Sequence, residues 1–330
     1  MENRYSRQIA YFGSKKQEKI EKSAVCIIGC GALGSASAEL LARAGTGTIK
    51  LIDRDFVEMS NLQRQHLFDE NDIDNPKAPQ LAEKLKMINS SIRIGYAVTD
   101  FNGMNAENLV KGFDLVIDGL DNTNSRFILN EACVKQIVPW IYGSAIRNTG
   151  YVSFIDPGKN CFRCFMNKAP SRIETCETSG VTNAITSLIS AMQVGEALNF
   201  LTKGQAPLDG RLFHADLDKM FMKNFILKRN FECDVCARKE FTLLGKEPSK
   251  LASLCGDKSY HISPPSAINL DLEGAAMRLP KGFRIKSAND FLVRAIFNNS
   301  EITVFNDGRM ITKNMEKSEA EKMFRKVVLT

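Results

Sequence analysis

Short apolar runs alternate with segments of helical periodicity over the first half of the chain. Short apolar runs bounded by turn residues are typical of buried strands, and apolar positions three or four residues apart are typical of helices. The pattern predicts strands at 23–29, 47–53, 92–98 and 113–119, and helices at 33–45, 77–89, 105–111 and 124–138. Such alternation indicates an α/β fold with a doubly wound, mostly parallel, Rossmann-like sheet.

The pattern changes after residue 138. It predicts strands at 140–145, 150–156, 211–216 and 220–228, a long helix at 181–201, and an irregular segment at 156–182 that is rich in Gly, Pro, Ser, Thr and Cys. A proline-rich joint at 262–265 precedes a helix at 270–279, strands at 291–297 and 301–305, and a last helix from Lys317. We predict a main domain over residues 1–240 and a small α+β domain over residues 251–330.

The composition narrows the class of protein. Hydrophobic residues make up 44% of the chain and charged residues 25%, as in ordinary soluble domains. The net charge of +6 is spread along the chain without a Lys/Arg block, so no nucleic-acid surface is expected. No apolar run reaches the ~18 residues of a membrane span. Nine cysteines without signs of secretion favour metal or thiol chemistry over disulfides, and we expect a cytoplasmic protein.

A glycine-rich turn predicts a nucleotide site. The segment GCGALG, with Gly29, Gly31 and Gly34, follows a predicted strand and opens a helix whose N–H groups can face an anion. Asp53 ends the next strand, where an acid can bind ribose hydroxyls. NAD-dependent dehydrogenation is the default interpretation of such a turn. The competing interpretation is that the glycines only allow close packing and that no nucleotide binds.

The residues after Asp53 favour a triphosphate instead. The guanidinium of Arg64, in SNLQRQ, can bind phosphate oxygens bidentately, and Lys77 adds a positive charge at the start of the next helix. No lysine follows the glycine turn, so this is not a Walker A loop. Asp118 and Asp121, in DGLDN, suit a magnesium ion that bridges phosphates, although helix capping by Asp121 or Asn122 competes with that role.

Two CxxC pairs predict a metal site. Cys161, Cys164, Cys233 and Cys236 supply four thiolates, which is the ligand set of a closed, tetrahedral structural zinc site. A redox role for one pair is the alternative. The remaining cysteines of the main domain, Cys26, Cys30 and Cys133, fit buried apolar positions, and Cys176 lies in the irregular segment.

These motifs together resemble the MoeB/ThiF family of ubiquitin-activating-enzyme-like adenylyltransferases. The resemblance covers residues 4–236 and rests on RYSRQ, GCGALG, SNLQRQ, the Pro76-Lys77 pair, DGLDN and the two CxxC pairs. It implies a ThiF-type ATP-binding domain with a structural zinc site. The activity it implies is ATP-dependent adenylation of the C-terminal glycine of a ubiquitin-like sulfur carrier that ends in Gly-Gly.

The resemblance also implies roles for individual residues. Those expected to bind ATP or its magnesium ion are Gly29, Gly31, Gly34, Asp53, Asn61, Arg64, Gln65, Lys77 and Asp121. Arg7 would reach the ATP of the neighbouring subunit, so a homodimer is expected.

Three questions stay open at the level of sequence. Some relatives use a cysteine at the position of Cys176 for thioester or persulfide transfer, and others do not. The carrier pathway, whether molybdopterin, thiamine or tRNA thiolation, is not chosen. An NAD-dependent oxidoreductase and a catalytically silent carrier-binding adaptor remain as alternatives.

Overall fold

The computed structural model describes residues 4–167, 179–247, 258–264 and 268–329, together with the backbone of 251–253. The chain divides into two compact units, Met1–Glu247 and Pro248–Thr330. Within the described residues, no helix is both long enough and apolar enough to cross a bilayer.

Eight strands form the sheet of the larger unit. They are β1 (Ala24–Ile28), β2 (Thr48–Asp53), β3 (Arg93–Val98), β4 (Leu115–Asp118), β5 (Trp140–Ile146), β6 (Thr149–Ile155), β7 (Arg211–Asp216) and β8 (Phe221–Ile226). Their order is β3-β2-β1-β4-β5-β6-β7-β8. The first five strands are parallel and the last three pair antiparallel, which confirms the predicted α/β class with a mostly parallel sheet.

Helices cover both faces of this sheet. They are α1 (Ser6–Phe12), α2 (Ser14–Lys22), α3 (Ala32–Ala44), α4 (Lys77–Ile88), α5 (Ala106–Val110), α6 (Thr123–Gln136), α7 (Phe162–Phe165) and α8 (Asn183–Lys203). Alternate residues of β1 show the division: Val25 and Ile27 pack in one core with α3, α4 and α8, whereas Cys26 and Ile28 pack in the other with α5 and α6. The continuous apolar run of β1 is therefore buried on both faces, as the doubly wound prediction requires.

The boundaries differ from the prediction where local signals are weak. Helices α1 and α2 precede the sheet, and the apolar pattern did not predict them. The segment at 156–182, expected to be irregular, contains the short helix α7, and its residues 168–178 lie outside the described part of the chain. Helix α3 ends at Ala44 and is capped by Gly45, whose φ of +88° is a left-handed conformation that favours glycine.

In its described residues, the smaller unit is an antiparallel sheet with two helices. Its strands are β9 (Leu251–Ser253), β10 (Tyr260–Ile262), β11 (Arg284–Ala288), β12 (Leu292–Phe297), β13 (Ser300–Phe305) and β14 (Met310–Lys313), in the order β11-β12-β13-β14-β10-β9. Helices α9 (Leu272–Arg278) and α10 (Lys317–Val327) contribute Ala275, Phe324 and Val327 to its core. This is the expected α+β class, but the predicted proline-rich joint begins inside β10, and β9, β10, β11 and β14 were not predicted.

Glu196 of α8 is a buried carboxylate whose Oε2 accepts a hydrogen bond from the N–H of Leu208 at 2.8 Å. Burial raises the pKa of Glu196 from 4.5 to about 7, although the Leu208 bond opposes the shift. Because the unfolded chain releases this proton near pH 4.5 and the folded chain near pH 7, the stability contribution of Glu196 falls as pH rises through that window.

Replacing Glu196 by glutamine should therefore raise stability at pH 8 by about 1–3 kcal/mol and leave it nearly unchanged at pH 4. The glutamine carbonyl still accepts the Leu208 bond, so packing is retained. Urea unfolding of both proteins across this pH range measures the effect. Parallel pH profiles for the two proteins would contradict it.

Candidate nucleotide site and metal centre

The glycine turn between β1 and α3 is closed by contacts that leave no room for side chains at Gly29 and Gly34. Gly29 has a φ of +91°. A Cβ atom on Gly34 would lie 1.8 Å from the carbonyl oxygen of Gly29, and one on Gly119 would lie 2.3 Å from the same oxygen. Gly31 differs, since the nearest atom to its Cβ position is Nε2 of Gln65 at 4.0 Å. The turn is therefore packed against the end of β4, and at Gly31 it faces Gln65.

Asp53, at the end of β2, fixes the glycine turn. Its Oδ2 accepts the N–H of Cys30 at 2.5 Å, and its Oδ1 accepts the N–H of Asp55 at 2.7 Å. Burial raises the pKa of Asp53. The nearby charge of Asp55 adds to this rise, whereas the positive charge of Lys77 opposes it. Each carboxylate oxygen has a further lone pair for a hydroxyl donor, so binding of ribose is compatible with this structural role.

Lys77 is a buried cation at the first position of α4. Its side chain is 8% exposed, and its Nζ lies 3.6 Å from Oδ2 of Asp55. Burial lowers the pKa of Lys77, but the carboxylates of Asp55, Asp53 and Asp121 outweigh burial and raise it overall. Lys77 therefore stays protonated at neutral pH in a site where positive charge is shielded from water.

The SNLQRQ segment lies between β2 and α4. The Oδ1 of Asn61 accepts the N–H of Glu58 at 3.4 Å and stabilises the 3-10 turn Met59–Asn61. Arg64 is half-buried, and its guanidinium donates to the carbonyl of Ser60 at 2.9 Å. Gln65 is 3% exposed, and its Oε1 has no hydrogen-bond partner among the described residues. Because an unmade buried hydrogen bond costs about 1–3 kcal/mol, Gln65 is poised to bind a donor.

The DGLDN segment separates the two acids that were expected to share a magnesium ion. Asp118 is fully buried, and its carboxylate accepts the N–H of Leu120 and the guanidinium Nε of Arg126, each at 2.8 Å. It is not available to a metal, so the expectation for Asp118 was wrong. Asn122 caps α6 by accepting the N–H of Ser125 at 2.8 Å. Asp121 is exposed, and its Oδ1 accepts Nδ2 of Asn122 at 3.1 Å.

Asp121 fits a magnesium ion that is held mainly by phosphates. Burial lowers the pKa values of Lys77, Arg54 and Arg126, but nearby acids raise each of them overall, and the charge of Asp121 contributes to all three rises. Among the described His, Cys, Asp and Glu side chains, the four cysteines are the one group of three or more placed to hold a metal. Magnesium commonly uses one or two carboxylates plus substrate phosphates, so a single aspartate is sufficient.

The four predicted metal ligands converge. The Sγ atoms of Cys161, Cys164, Cys233 and Cys236 all lie within 4.8 Å of one another. Cys161 and Cys164 are 4.0 Å apart, Cys161 and Cys233 3.6 Å, and Cys164 and Cys236 3.4 Å. Zinc–sulfur bonds of ~2.3 Å give a tetrahedron with edges of about 3.8 Å, so the donor set fits zinc. Asn130 supports it, because its Oδ1 accepts the N–H of Phe162, next to Cys161, at 2.8 Å.

Two further residues, Arg7 and Cys176, were predicted to be catalytic. Arg7 is exposed on α1. Cys176 lies outside the described residues, so its covalent role stays a prediction.

Sequence reasoning also missed two arginines. Arg54 pairs with Asp100 at 2.7 Å, and Arg126 pairs with Asp118. The sequence offered one signal for each. Arg54 lies between two acids, and Arg126 lies one turn into the helix that follows DGLDN.

The comparisons with known proteins identify the family of the chain. The sequence model of the ThiF family matches residues 5–235. The sulfur carrier protein ThiS adenylyltransferase of Bacillus subtilis is 33% identical over 317 residues, which cover 94% of each chain. The SAMP-activating enzyme E1 of Haloferax volcanii is 31% identical over 238 residues, which cover 71% of this chain and 88% of the relative.

Solved structures share the fold. The crystal structure of Escherichia coli MccB with MccA-N7isoASN has a TM-score of 0.65 and 24% sequence identity, and the match covers 72% of this chain and 75% of MccB. At this identity the likeness establishes the architecture of the sheet and helices. The Bacillus subtilis relative, in contrast, matches over nearly the whole chain and so extends into the smaller unit.

Proposed function

The chain belongs to the ThiF family, and we propose on this basis that it adenylates the C-terminal glycine of a ubiquitin-like sulfur carrier at the expense of ATP. The observation that carries the proposal is the buried, protonated Lys77 beside Asp53, Asp55 and Asp121, at the carboxyl ends of the parallel strands, where the glycine turn lies. A buried cation at the carboxyl ends of the strands suits an anionic phosphate chain.

The chemistry requires charge stabilisation more than covalent participation. An oxygen of the carrier's C-terminal carboxylate forms a bond to the α-phosphorus of ATP, the bond from this phosphorus to the β-phosphate oxygen breaks, and pyrophosphate leaves with the electron pair. Both reactants are anions, so their approach and the charge on the phosphoryl oxygens need positive partners. Lys77, Arg64 and the N-terminus of α3 would supply them.

Neighbouring residues would position the nucleotide. Asp53 would accept the ribose hydroxyls, and the closed turn at Gly29 and Gly34 would let backbone N–H groups approach the phosphates. Gln65 and Asn61 would complete the polar surface around Gly31. A magnesium ion at Asp121 would neutralise phosphate charge when bound, and the four-cysteine zinc site, which has no open position, would be structural.

Several further features belong to the same proposal. The carrier pathway is of the molybdopterin, thiamine or tRNA-thiolation type. Where a thioester step follows, the Cys176 thiolate would attack the acyl carbon of the adenylated carrier, so that a thioester forms and AMP leaves. Where a persulfide step follows, a sulfur donor would first supply the outer sulfur on Cys176, and attack by that sulfur would form an acyl disulfide and release AMP. A homodimer would bring Arg7 of one subunit to the ATP of the other in the cytoplasm. Sedimentation of the purified protein with ATP tests the dimer, and a monomer under those conditions would contradict it.

The exposed edge strand β8 supports a protein substrate. All six residues of Phe221–Ile226 are exposed, and Met220, Ile226 and the nearby Phe231 are 78%, 81% and 80% exposed. β8 ends the order of the sheet, so its outer backbone groups face away from β7. An apolar edge strand of this kind is a surface for protein contact, and we assign it to the carrier.

Replacing Ile226 by glutamate should raise the KM for the carrier about tenfold, because a charge enters an apolar interface, while the KM for ATP stays unchanged. Steady-state adenylation at varied carrier concentration measures this. Lys228→Glu is the matched control, because it introduces negative charge just beyond β8 without replacing an apolar side chain. An unchanged carrier KM in Ile226→Glu would remove β8 from the interface.

Carrier-dependent exchange between ATP and labelled pyrophosphate tests the proposed function. Exchange should require ATP, magnesium and a ubiquitin-like carrier that ends in Gly-Gly, and it should vanish when the last glycine is deleted. The same fold can serve dehydrogenases, so the assay is paired with a test for oxidation of NADH. ATP binding without exchange for any carrier would favour a silent adaptor, and NADH oxidation without exchange would favour an oxidoreductase.

A further inference from the structure

The loop that leads from β4 to Asp121 is fixed by an ion pair beneath it. Arg126, on the first turns of α6, is 8% exposed, and Asp118 is fully buried. The Nε of Arg126 donates to Oδ2 of Asp118 at 2.8 Å. Its Nη2 donates to two backbone carbonyls, those of Leu120 and Gly143, the latter at 2.9 Å. One guanidinium therefore joins α6, β5 and the loop.

Leu120, the residue immediately before Asp121, is held at both of its backbone polar groups. Its N–H donates to Oδ1 of Asp118 at 2.8 Å, and its carbonyl accepts from Arg126. Asp118 thus binds the N–H of Leu120, and Arg126 binds the carbonyl of the same residue. The carboxylate of Asp121 itself is exposed, and its Oδ1 accepts a hydrogen bond from Nδ2 of the adjacent Asn122.

The residues before Leu120 are fixed as well. The N–H of Gly119 donates to the carbonyl of Ile28 at 2.8 Å, and Gly119 packs against Gly29 so closely that a Cβ atom would collide. The carbonyl of Asp118 accepts Nε2 of Gln193, on α8, at 2.9 Å. The position of Asp121 relative to the glycine turn is therefore determined by the backbone of 118–120.

We propose that Arg126 and Asp118 are positioning residues that set the place of Asp121 for the magnesium complex of ATP. This inference rests on the proposed function for the identity of the ligand, and on the contacts above for the role. Burying an ion pair costs free energy unless its hydrogen bonds are well made. Here Asp118 and Arg126 both make hydrogen bonds to the loop that carries Asp121. Only arginine can reach all three acceptors from one rigid fork, because lysine is a single point charge.

Arg126→Lys tests the role, since it keeps the charge and removes the fork. We expect the magnesium concentration that half-saturates ATP binding to rise about tenfold, while the affinity for ATP at saturating magnesium stays close to that of the unmodified protein. Calorimetric titration of ATP at a series of magnesium concentrations measures this without the carrier. If Arg126→Lys does not fold, Asp118→Asn carries the same expectation, because it keeps the shape and weakens the pair.

Glu131→Gln is the matched control on the same helix. Glu131 is 1% exposed and its Oε2 accepts the N–H of Leu243 at 2.8 Å, so it tethers the far end of α6 and lies outside the loop. Its variant should lower thermal stability and leave the magnesium requirement unchanged. A magnesium requirement that stays constant in Arg126→Lys, or that shifts equally in Glu131→Gln, would overturn the positioning role.

The test of the positioning role can be distinguished from the test of the proposed function. Magnesium-dependent ATP binding without pyrophosphate exchange would refute carrier adenylation and still decide the role of Arg126. Absence of ATP binding in the unmodified protein would refute both.

Discussion

Lys77→Met should lower carrier-dependent ATP–pyrophosphate exchange by about 100- to 1000-fold, the usual cost of removing one charged group that stabilises a transition state. Methionine keeps the length of the side chain and removes its charge. The loss should appear mainly in kcat, because charge on the phosphoryl oxygens increases in the transition state. Arg64→Ala should act in the same direction.

Lys84→Met provides the control for this experiment. Lys84 is on the same helix, α4, but it pairs with Asp69 at 2.7 Å and with Asp72 at 2.6 Å. Its variant loses one positive charge and one ion-pair cluster away from the glycine turn, so exchange should remain near that of the unmodified protein. Equal exchange in Lys77→Met and Lys84→Met would show that Lys77 has no special role.

Lys77→Met should also affect folding, for a reason that follows from its surroundings. The cation is buried beside the carboxylates of Asp53 and Asp55, and its removal takes away a positive charge that opposes the raised pKa of Asp53. Thermal unfolding must therefore be measured alongside exchange. The loss of exchange should be much larger than any loss in the folded fraction at the assay temperature.

Cys233→Ser should release zinc and destabilise the larger unit by about 4 kcal/mol, which corresponds to a fall in Tm of roughly 10 °C for a unit of this size. The zinc site joins the segment around Cys161 to the segment around Cys236, and its Sγ atoms pack with Val134 of α6. Loss of one thiolate breaks that link. Zinc content by elemental analysis and Tm by calorimetry measure the effect.

Cys133→Ala is the matched control, because Cys133 is a fully buried cysteine on α6 that is not one of the four ligands. It should lower Tm modestly through lost packing and leave one zinc ion per chain. An unmodified protein without zinc, together with an unchanged Tm in Cys233→Ser, would contradict a structural metal site and favour the redox interpretation of the CxxC pairs.

The α/β class with its mostly parallel sheet and the ligands of the metal site were predictable because their signals are local. The apolar run of β1, the glycines after it and the acid at the end of β2 follow from steric and burial rules that act within a few residues. The four cysteines were predictable because two CxxC pairs are a specific pattern. Zinc-compatible geometry then needed only a fold that brings residues 161 and 233 together.

The electrostatic details were not predictable, because they depend on distant parts of the chain. DGLDN contains two acids that look equivalent, and only the tertiary placement of Arg126 and Gly143 assigns Asp118 to the interior and leaves Asp121 exposed. The hydrogen bond from the N–H of Cys30 to Asp53 likewise arises only when β1 and β2 pair. Strands such as β11 and β14 were missed because their side-chain pattern is weak and their pairing is set by neighbouring strands.

Mass spectrometry of the carrier tests the central claim most directly. After incubation with ATP, magnesium and the protein, a ubiquitin-like carrier that ends in Gly-Gly should gain one adenylyl group at its C-terminus, and pyrophosphate should accumulate in equal amount. The adduct should be lost when the terminal glycine is absent. An unmodified carrier together with release of ADP and phosphate would show that ATP is cleaved at a different bond, and would contradict the account.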